Sequence, residues 1–92
     1  MQSKAQSKAS SALVFEQRSL QAGGAWIEIR LAQDARGLRY RLAYGRDGAC
    51  LLCYENRPPS GHLRTLRGRA VPYAFRSVEQ LLYDFERDTE AL

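Results

Sequence analysis

The chain has little histidine, little cysteine, little lysine and no long apolar run. Its 92 residues include one histidine, His62, and two cysteines, Cys50 and Cys53. Two cysteines cannot build a disulfide framework, and with one histidine they do not reach the clustered ligand set of a zinc site. Their spacing is C-x-x-C, but in a strand residues i and i+3 point to opposite faces, so the simpler reading is two small apolar residues in a sheet. No stretch approaches the ~20 apolar residues that cross a bilayer, and residues 1–8 lack the apolar run of a secretory signal. A cytoplasmic protein with no metal and no organic cofactor is therefore expected. Hydrophobic residues at 45% and charged residues at 26% match an ordinary globular domain, which sets aside wholesale disorder and collagen.

The charge that is present is unevenly placed. Lys4 and Lys8 are the two lysines against twelve arginines. Residues 30–69 hold nine arginines against Asp34, Asp47 and Glu55, a net +6, whereas residues 77–92 hold five carboxylates against Arg87, a net −4. A basic body with an acidic C-terminal segment follows. Arginine's planar fork suits phosphate, so nucleic acid is one partner class this pattern favours.

Residues 1–11 are Ser, Gln, Lys and Ala with one Met, a composition that predicts a disordered tail ahead of a single domain over 12–92. Ala12–Leu20 reads as a strand and Gln21–Gly24 as its turn. Ala25, Ile27, Ile29 and Leu31 then alternate with Trp26, Glu28 and Arg30, the period of two of a half-buried strand. Leu38, Tyr40, Leu42 and Tyr44 alternate in the same way with Arg39, Arg41 and Ala43. Gly45-Arg46-Asp47-Gly48 is a hairpin turn into a strand over Ala49–Glu55. From Asn56 to Ala70 the alternation is lost among two prolines, two glycines and four arginines, and the segment is expected to be a loop, with Val71–Phe75 a short strand or turn. Ser77 is placed to cap a helix, with Gln80 completing a capping box and Val78, Leu81, Leu82 and Phe85 forming an apolar stripe. Asp84, Glu86 and Asp88 are read as a solvated face, with Thr89–Leu92 fraying. The expected architecture is a two-layer α+β domain, a four-stranded antiparallel meander packed by one C-terminal helix.

The Arg-rich loop is where chemistry is sought. Cleavage of an RNA phosphodiester by the neighbouring ribose hydroxyl needs one group to take a proton, one to return it, and cations to hold the charged phosphorane. His62 and Arg64, with Tyr54 and Tyr73, could supply that set. Arg39, Arg41, Arg57, Arg67 and Arg69 are the candidate phosphate contacts. Tyr40 and Tyr44 share a face with Leu38 and Leu42 and are read as core.

Tyr40-Arg41-Leu42-Ala43-Tyr44, Tyr54-Glu55-Asn56, Gly61-His62, Pro72-Tyr73-Ala74-Phe75 and the helix with Leu81-Leu82-Tyr83-Asp84-Phe85 together resemble the TumE-type family of bacterial toxins over about the last fifty-five residues. The resemblance implies the toxin half of a toxin–antitoxin module, neutralised by an antitoxin protein and acting on RNA as an endoribonuclease. Two departures stand out: Glu55 replaces the family's usual Asp, and the segment carries one histidine where the pattern usually has two. Either catalysis rests on Arg and Tyr with a single His, or the fold is kept without the activity. The alternative function is a non-catalytic binding module that holds nucleic acid or an acidic protein through the same arginines, and a third is a regulatory or structural partner protein whose exposed edge strand pairs with itself, as a homodimer, or with a neighbour.

Overall fold

The computed structural model describes residues 12–58 and 61–92, so the predicted tail lies outside the described residues. Six strands, β1 (Ala12–Leu20), β2 (Ala25–Asp34), β3 (Gly37–Arg46), β4 (Ala49–Arg57), β5 (Gly61–Leu66) and β6 (Arg69–Pro72), are followed by one helix, α1 (Val78–Glu90). Each strand pairs antiparallel with its neighbour in sequence, giving one sheet in the order β1 to β6. The α+β class and the C-terminal helix are as expected, but the sheet has six strands, not four.

Strand β5 comes from the segment expected to be a loop, and β6 straddles the end of that segment and the start of Val71–Phe75, expected to be a short strand or turn. There Cys53 pairs with Thr65, Tyr54 with Arg64 and Asn56 with His62 across β4 and β5. Strand β5 returns into β6 at Arg67-Gly68, where both residues have positive φ, 49° and 85°. Asp47-Gly48 has the same character at the β3–β4 turn, with φ of 53° and 81°. Two-residue turns of this hand match the right-handed twist of the strands they join. The alternation of β5 is masked in the sequence because its helix-side positions hold His62, Arg64 and Leu66, of which one alone is apolar.

Gly45 marks a place where backbone and ring meet. It pairs with Trp26 across β2 and β3, and a Cβ there would overlap the indole ring and the Ala49 carbonyl. The β3–β4 register slips between Tyr44 and Gly45, where β4 carries one extra residue, Leu51.

One face of the sheet carries the core. Leu31, Tyr40, Leu42, Tyr44, Leu52 and Tyr54 are buried there against Leu81 and Phe85 of α1. Burial of Leu81 and Phe85 contributes about 1.5–3 kcal/mol each to holding the helix on the sheet. The helix begins at Ser77, whose Oγ accepts the Gln80 N–H at 3.0 Å. The capping box is half made, because the Gln80 side chain turns instead to Asp84. Nor does the end fray: the helix runs to Glu90, and Leu92 packs against the core. Among the described residues no helix lies over the opposite face of the sheet, which carries the alternating charges.

Candidate active site

Antiparallel register decides what the site contains. Residues directly opposite one another across a ladder point to the same face. Tyr54 and Asn56 of β4 therefore stand beside Arg64 and His62 of β5, all on the side that faces α1. Tyr73 follows β6 and is tied back by its N–H to the His62 carbonyl at 2.9 Å. The four residues singled out for chemistry, His62, Arg64, Tyr54 and Tyr73, thus share one side of the sheet, with His62 and Arg64 on a strand instead of in a loop.

The helix supplies two carboxylates that close this cluster. Asp84 is buried and Asp88 half-buried, which corrects their reading as a solvated face. Spaced four apart, they lie one above the other, on the side of α1 that carries Leu81 and Phe85. The Tyr54 hydroxyl donates to Asp88 at 2.5 Å, and Arg64 Nε donates to the same carboxylate oxygen at 2.8 Å. Arg64 Nε also reaches the Tyr54 hydroxyl at 3.2 Å. The guanidinium is therefore fixed through its inner nitrogen. Its two terminal nitrogens hold no hydrogen bond among the described residues. Next to this triad the Tyr73 hydroxyl donates to Asp84 at 2.6 Å, and the Tyr73 and Tyr54 rings meet edge to face with centroids 4.8 Å apart.

His62 sits two residues before Arg64 on the same face of β5, about 6.6 Å along the strand. Its ring stacks on Phe75 with centroids 4.9 Å apart and planes 8° apart, and its Nδ1 is 2.9 Å from the Tyr40 hydroxyl. Tyr40 and Phe75 stack on each other as well. Nδ1 is thereby occupied and the ring held in orientation, which leaves Nε2 as the nitrogen available to a substrate. Tyr40 is core, as expected, yet its hydroxyl also orients the histidine. Asn56 secures the same strand from its end, accepting the Tyr40 N–H at 2.9 Å and donating to the Leu38 carbonyl at 2.6 Å.

Electrostatics divides these groups by task. Burial pushes the Tyr40 hydroxyl up to about 12, and burial together with the Asp88 hydrogen bond pushes Tyr54 up to about 12. Tyr73 is raised as well, by burial and by Asp84. All three phenols are protonated near neutrality; Tyr54 and Tyr73 donate to Asp88 and Asp84, while the direction of the Tyr40–His62 bond follows the histidine tautomer. Burial raises the Asp88 carboxyl, but the hydrogen bonds from Tyr54 and Arg64 and the arginine charges outweigh it, and the net effect holds Asp88 below the usual carboxylate range. Burial disfavours the Arg64 cation, and its bonds to Asp88 and Tyr54 more than restore it. A surface groove of about 390 Å³ adjoins the cluster, lined by Pro72, Tyr73, Arg76, Gln80, Asp84 and Arg87 among others.

The arginines expected to hold phosphate separate into two groups. Arg39, Arg41 and Arg57 lie on the opposite face of the sheet and are each ion-paired, with Asp34 at 3.1 Å, with Glu28 and Glu55 at 3.7 and 3.8 Å, and with Glu55 at 2.8 Å. That face carries Arg18, Arg30, Arg39, Arg41 and Arg57 against Glu16, Glu28, Asp34 and Glu55, so the sequence's positive excess is largely neutralised there. Arg67 and Arg69, at the β5–β6 turn, form no ion pair among the described residues. The structure thus does not bring the five into one patch. Cys50 is exposed and Cys53 buried, and both are free thiols.

A family model described as Toxin TumE matches residues 3–92. The chain belongs to the TumE toxin family. Membership makes it the toxin component of a toxin–antitoxin module, with an antitoxin as its partner. No curated protein and no solved structure matches the chain. Among the described residues no helix is long and apolar enough to cross a membrane.

What the sequence missed in this site is Asp84, Asp88, Phe75 and the Tyr40 hydroxyl. A signal for the carboxylates exists: stepping by three, four and seven from Leu81 lands on Asp84, Phe85 and Asp88, one continuous helix face. For Phe75 and Tyr40 there is no local signal, because their contact with His62 depends on the β5–β6 hairpin.

Proposed function

We propose that this toxin is an endoribonuclease of the cytoplasm that needs no metal ion and cleaves RNA at the His62–Arg64 face of β5. The observation that supports the reading best is the pairing of a histidine oriented through Nδ1 with an arginine anchored through Nε, both on one face two residues apart. In the tautomer whose Nδ1–H donates to the Tyr40 oxygen, His62 Nε2 carries the lone pair and would take the proton of the ribose 2′-hydroxyl. The freed oxygen attacks the adjacent phosphorus, the bond to the 5′-oxygen of the next nucleotide breaks, and a 2′,3′-cyclic phosphate results. The terminal nitrogens of Arg64 face the non-bridging oxygens as charge builds on them, where a prepositioned cation acts most strongly. Asp88 and Tyr54 hold that guanidinium in place, Tyr73 with Asp84 lines the adjacent groove, and the departing oxygen takes its proton from solvent. Arg67 and Arg69, free of ion pairs among the described residues, would contact flanking phosphates, while Arg39, Arg41 and Arg57 would serve a second, weaker track on the opposite face.

The test is cleavage of a labelled RNA by the purified toxin in the presence of a chelator. Products ending in 2′,3′-cyclic phosphate, formed by wild type and lost in His62→Ala and Arg64→Gln, are expected. RNA that is bound in a strongly salt-dependent way and left intact would point instead to a non-catalytic binding module.

A further inference from the structure

The two edges of the sheet are built differently. Strand β6 is four residues long and carries Arg69 and Pro72, features that blunt an edge. Strand β1 is nine residues long and has neither proline nor glycine; its one bulge lies at Val14 and leaves Phe15–Leu20 in regular register. Val14 and Leu20 on it are 62% and 92% exposed, and Phe15 is exposed as well. Long exposed edges of this kind are templates for another strand.

The sequence of β1 is complementary to itself. Placed antiparallel to a second copy about a two-fold axis at Gln17, Val14 opposes Leu20, Phe15 opposes Ser19, Glu16 opposes Arg18, and Gln17 opposes Gln17. Within each chain Glu16 already pairs with Arg30 and Arg18 with Glu28 across β2. The second copy would extend these pairs into a row of alternating sign, Arg30, Glu16, then Arg18 and Glu28 of the other copy, and its symmetric twin. The neighbouring registers of the same symmetry fail: centring on Glu16 sets two glutamates against each other, and centring on Arg18 sets two arginines together. Opposite charges directly across a ladder stabilise it and like charges destabilise it. The two most exposed apolar side chains of β1, Val14 and Leu20, would cover one another.

We propose that the toxin forms a two-fold dimer through β1, in the register centred on Gln17, joining two six-stranded sheets into one of twelve strands with both helices on the same side. The pairing is isologous and closed, so it stops at two copies. It stands apart from the ribonuclease reading, because β1 carries none of the residues assigned to cleavage.

Sedimentation of the full chain over a concentration series, with circular dichroism to confirm the fold, tests it. Wild type is expected to be a dimer. Glu16→Arg alone and Arg18→Glu alone should each weaken self-association by about tenfold or more, because both symmetric pairs turn repulsive. Mixed together, the two variants should assemble with each other, since every Arg then faces a Glu. A wild type that stays monomeric at high concentration overturns the proposal. So does a dimer that the two charge changes leave intact, or a mixture of folded variants that does not assemble. If wild type is monomeric and the β1 amides slow their hydrogen exchange only when an antitoxin is added, the edge belongs to the antitoxin and the dimer is refuted.

Discussion

Replacing Asp88 by alanine should destabilise the fold by about 2–3 kcal/mol, far more than an ordinary change on a helix surface. The carboxylate accepts from the Tyr54 hydroxyl at 2.5 Å and from Arg64 Nε at 2.8 Å. Hydrogen bonds to a charged group contribute roughly 1.5–3 kcal/mol each, and breaking a fully buried ion pair costs about 3–5 kcal/mol. Here the side chains of Arg64 and Asp88 are 29% and 14% exposed, so water re-solvates part of what is left and the loss falls below that range. For a domain of this size the melting temperature should drop by about 10–20 °C. Thermal and urea unfolding at neutral pH measure it, and a double-mutant cycle with Arg64→Gln should return a coupling of about 1 kcal/mol or more. The pH dependence carries a definite sign. The folded-state pKa of Asp88 lies below its unfolded value of about 3.9, so its contribution is complete above that value and is lost as pH falls through the folded-state pKa. The gap between wild type and Asp88→Ala should be level near neutrality and shrink in acid. A gap within about 0.5 kcal/mol at neutral pH would refute the view that Asp88 anchors Tyr54 and Arg64.

Gly45→Ala should cost about 2–3 kcal/mol in urea unfolding and disturb the near-ultraviolet signal of Trp26, because the new methyl group overlaps the indole and the Ala49 carbonyl. Ser77→Ala should cost about 1 kcal/mol through loss of the Gln80 N–H partner, and Ser77→Gly only a few tenths, measured in the same way. Titration followed by tyrosinate absorbance should show Tyr40 and Tyr54 ionising at about 12. Since their folded-state values exceed the ordinary value of about 10, the stability they contribute is complete below that pH and is lost as pH rises through about 12. Tyr54→Phe and Tyr40→Phe should each remove one of the late-ionising groups.

Strands β2 to β4 and the helix were legible in the sequence because their inward positions are mostly apolar and repeat with a clean period of two or three to four, whereas β1, with Gln17 and Ser19 inward, was marked by its apolar start and the glycine turn after it. Strand β5 and the start of β6 were not legible, and the reason is physical. His62 and Arg64 occupy inward positions that the sheet can accept only because Tyr40, Phe75 and Asp88 bond or stack with them. The turn between the strands is Arg-Gly, which lacks the Asn or Asp that usually announces a two-residue hairpin. The four candidate site residues did come together, though by a different route from the one that suggested them. A loop was the expectation for His62 and Arg64, whereas strand register is what sets Tyr54 against Arg64 and Asn56 against His62. The helix carboxylates show the complementary failure. A charge run was read as solvated from its composition, while its spacing from Leu81 already put Asp84 and Asp88 on the buried side.

The central claim is that the toxin acts on RNA through His62 and Arg64. The most direct measurement is controlled expression of wild type, His62→Ala and Arg64→Gln in a bacterial host, with growth and total RNA integrity followed together and soluble protein confirmed for each. Arrest with fragmented RNA in wild type, and normal growth with intact RNA in both variants, is the predicted result. Arrest by wild type with RNA left whole, or arrest undiminished in the variants, would contradict it.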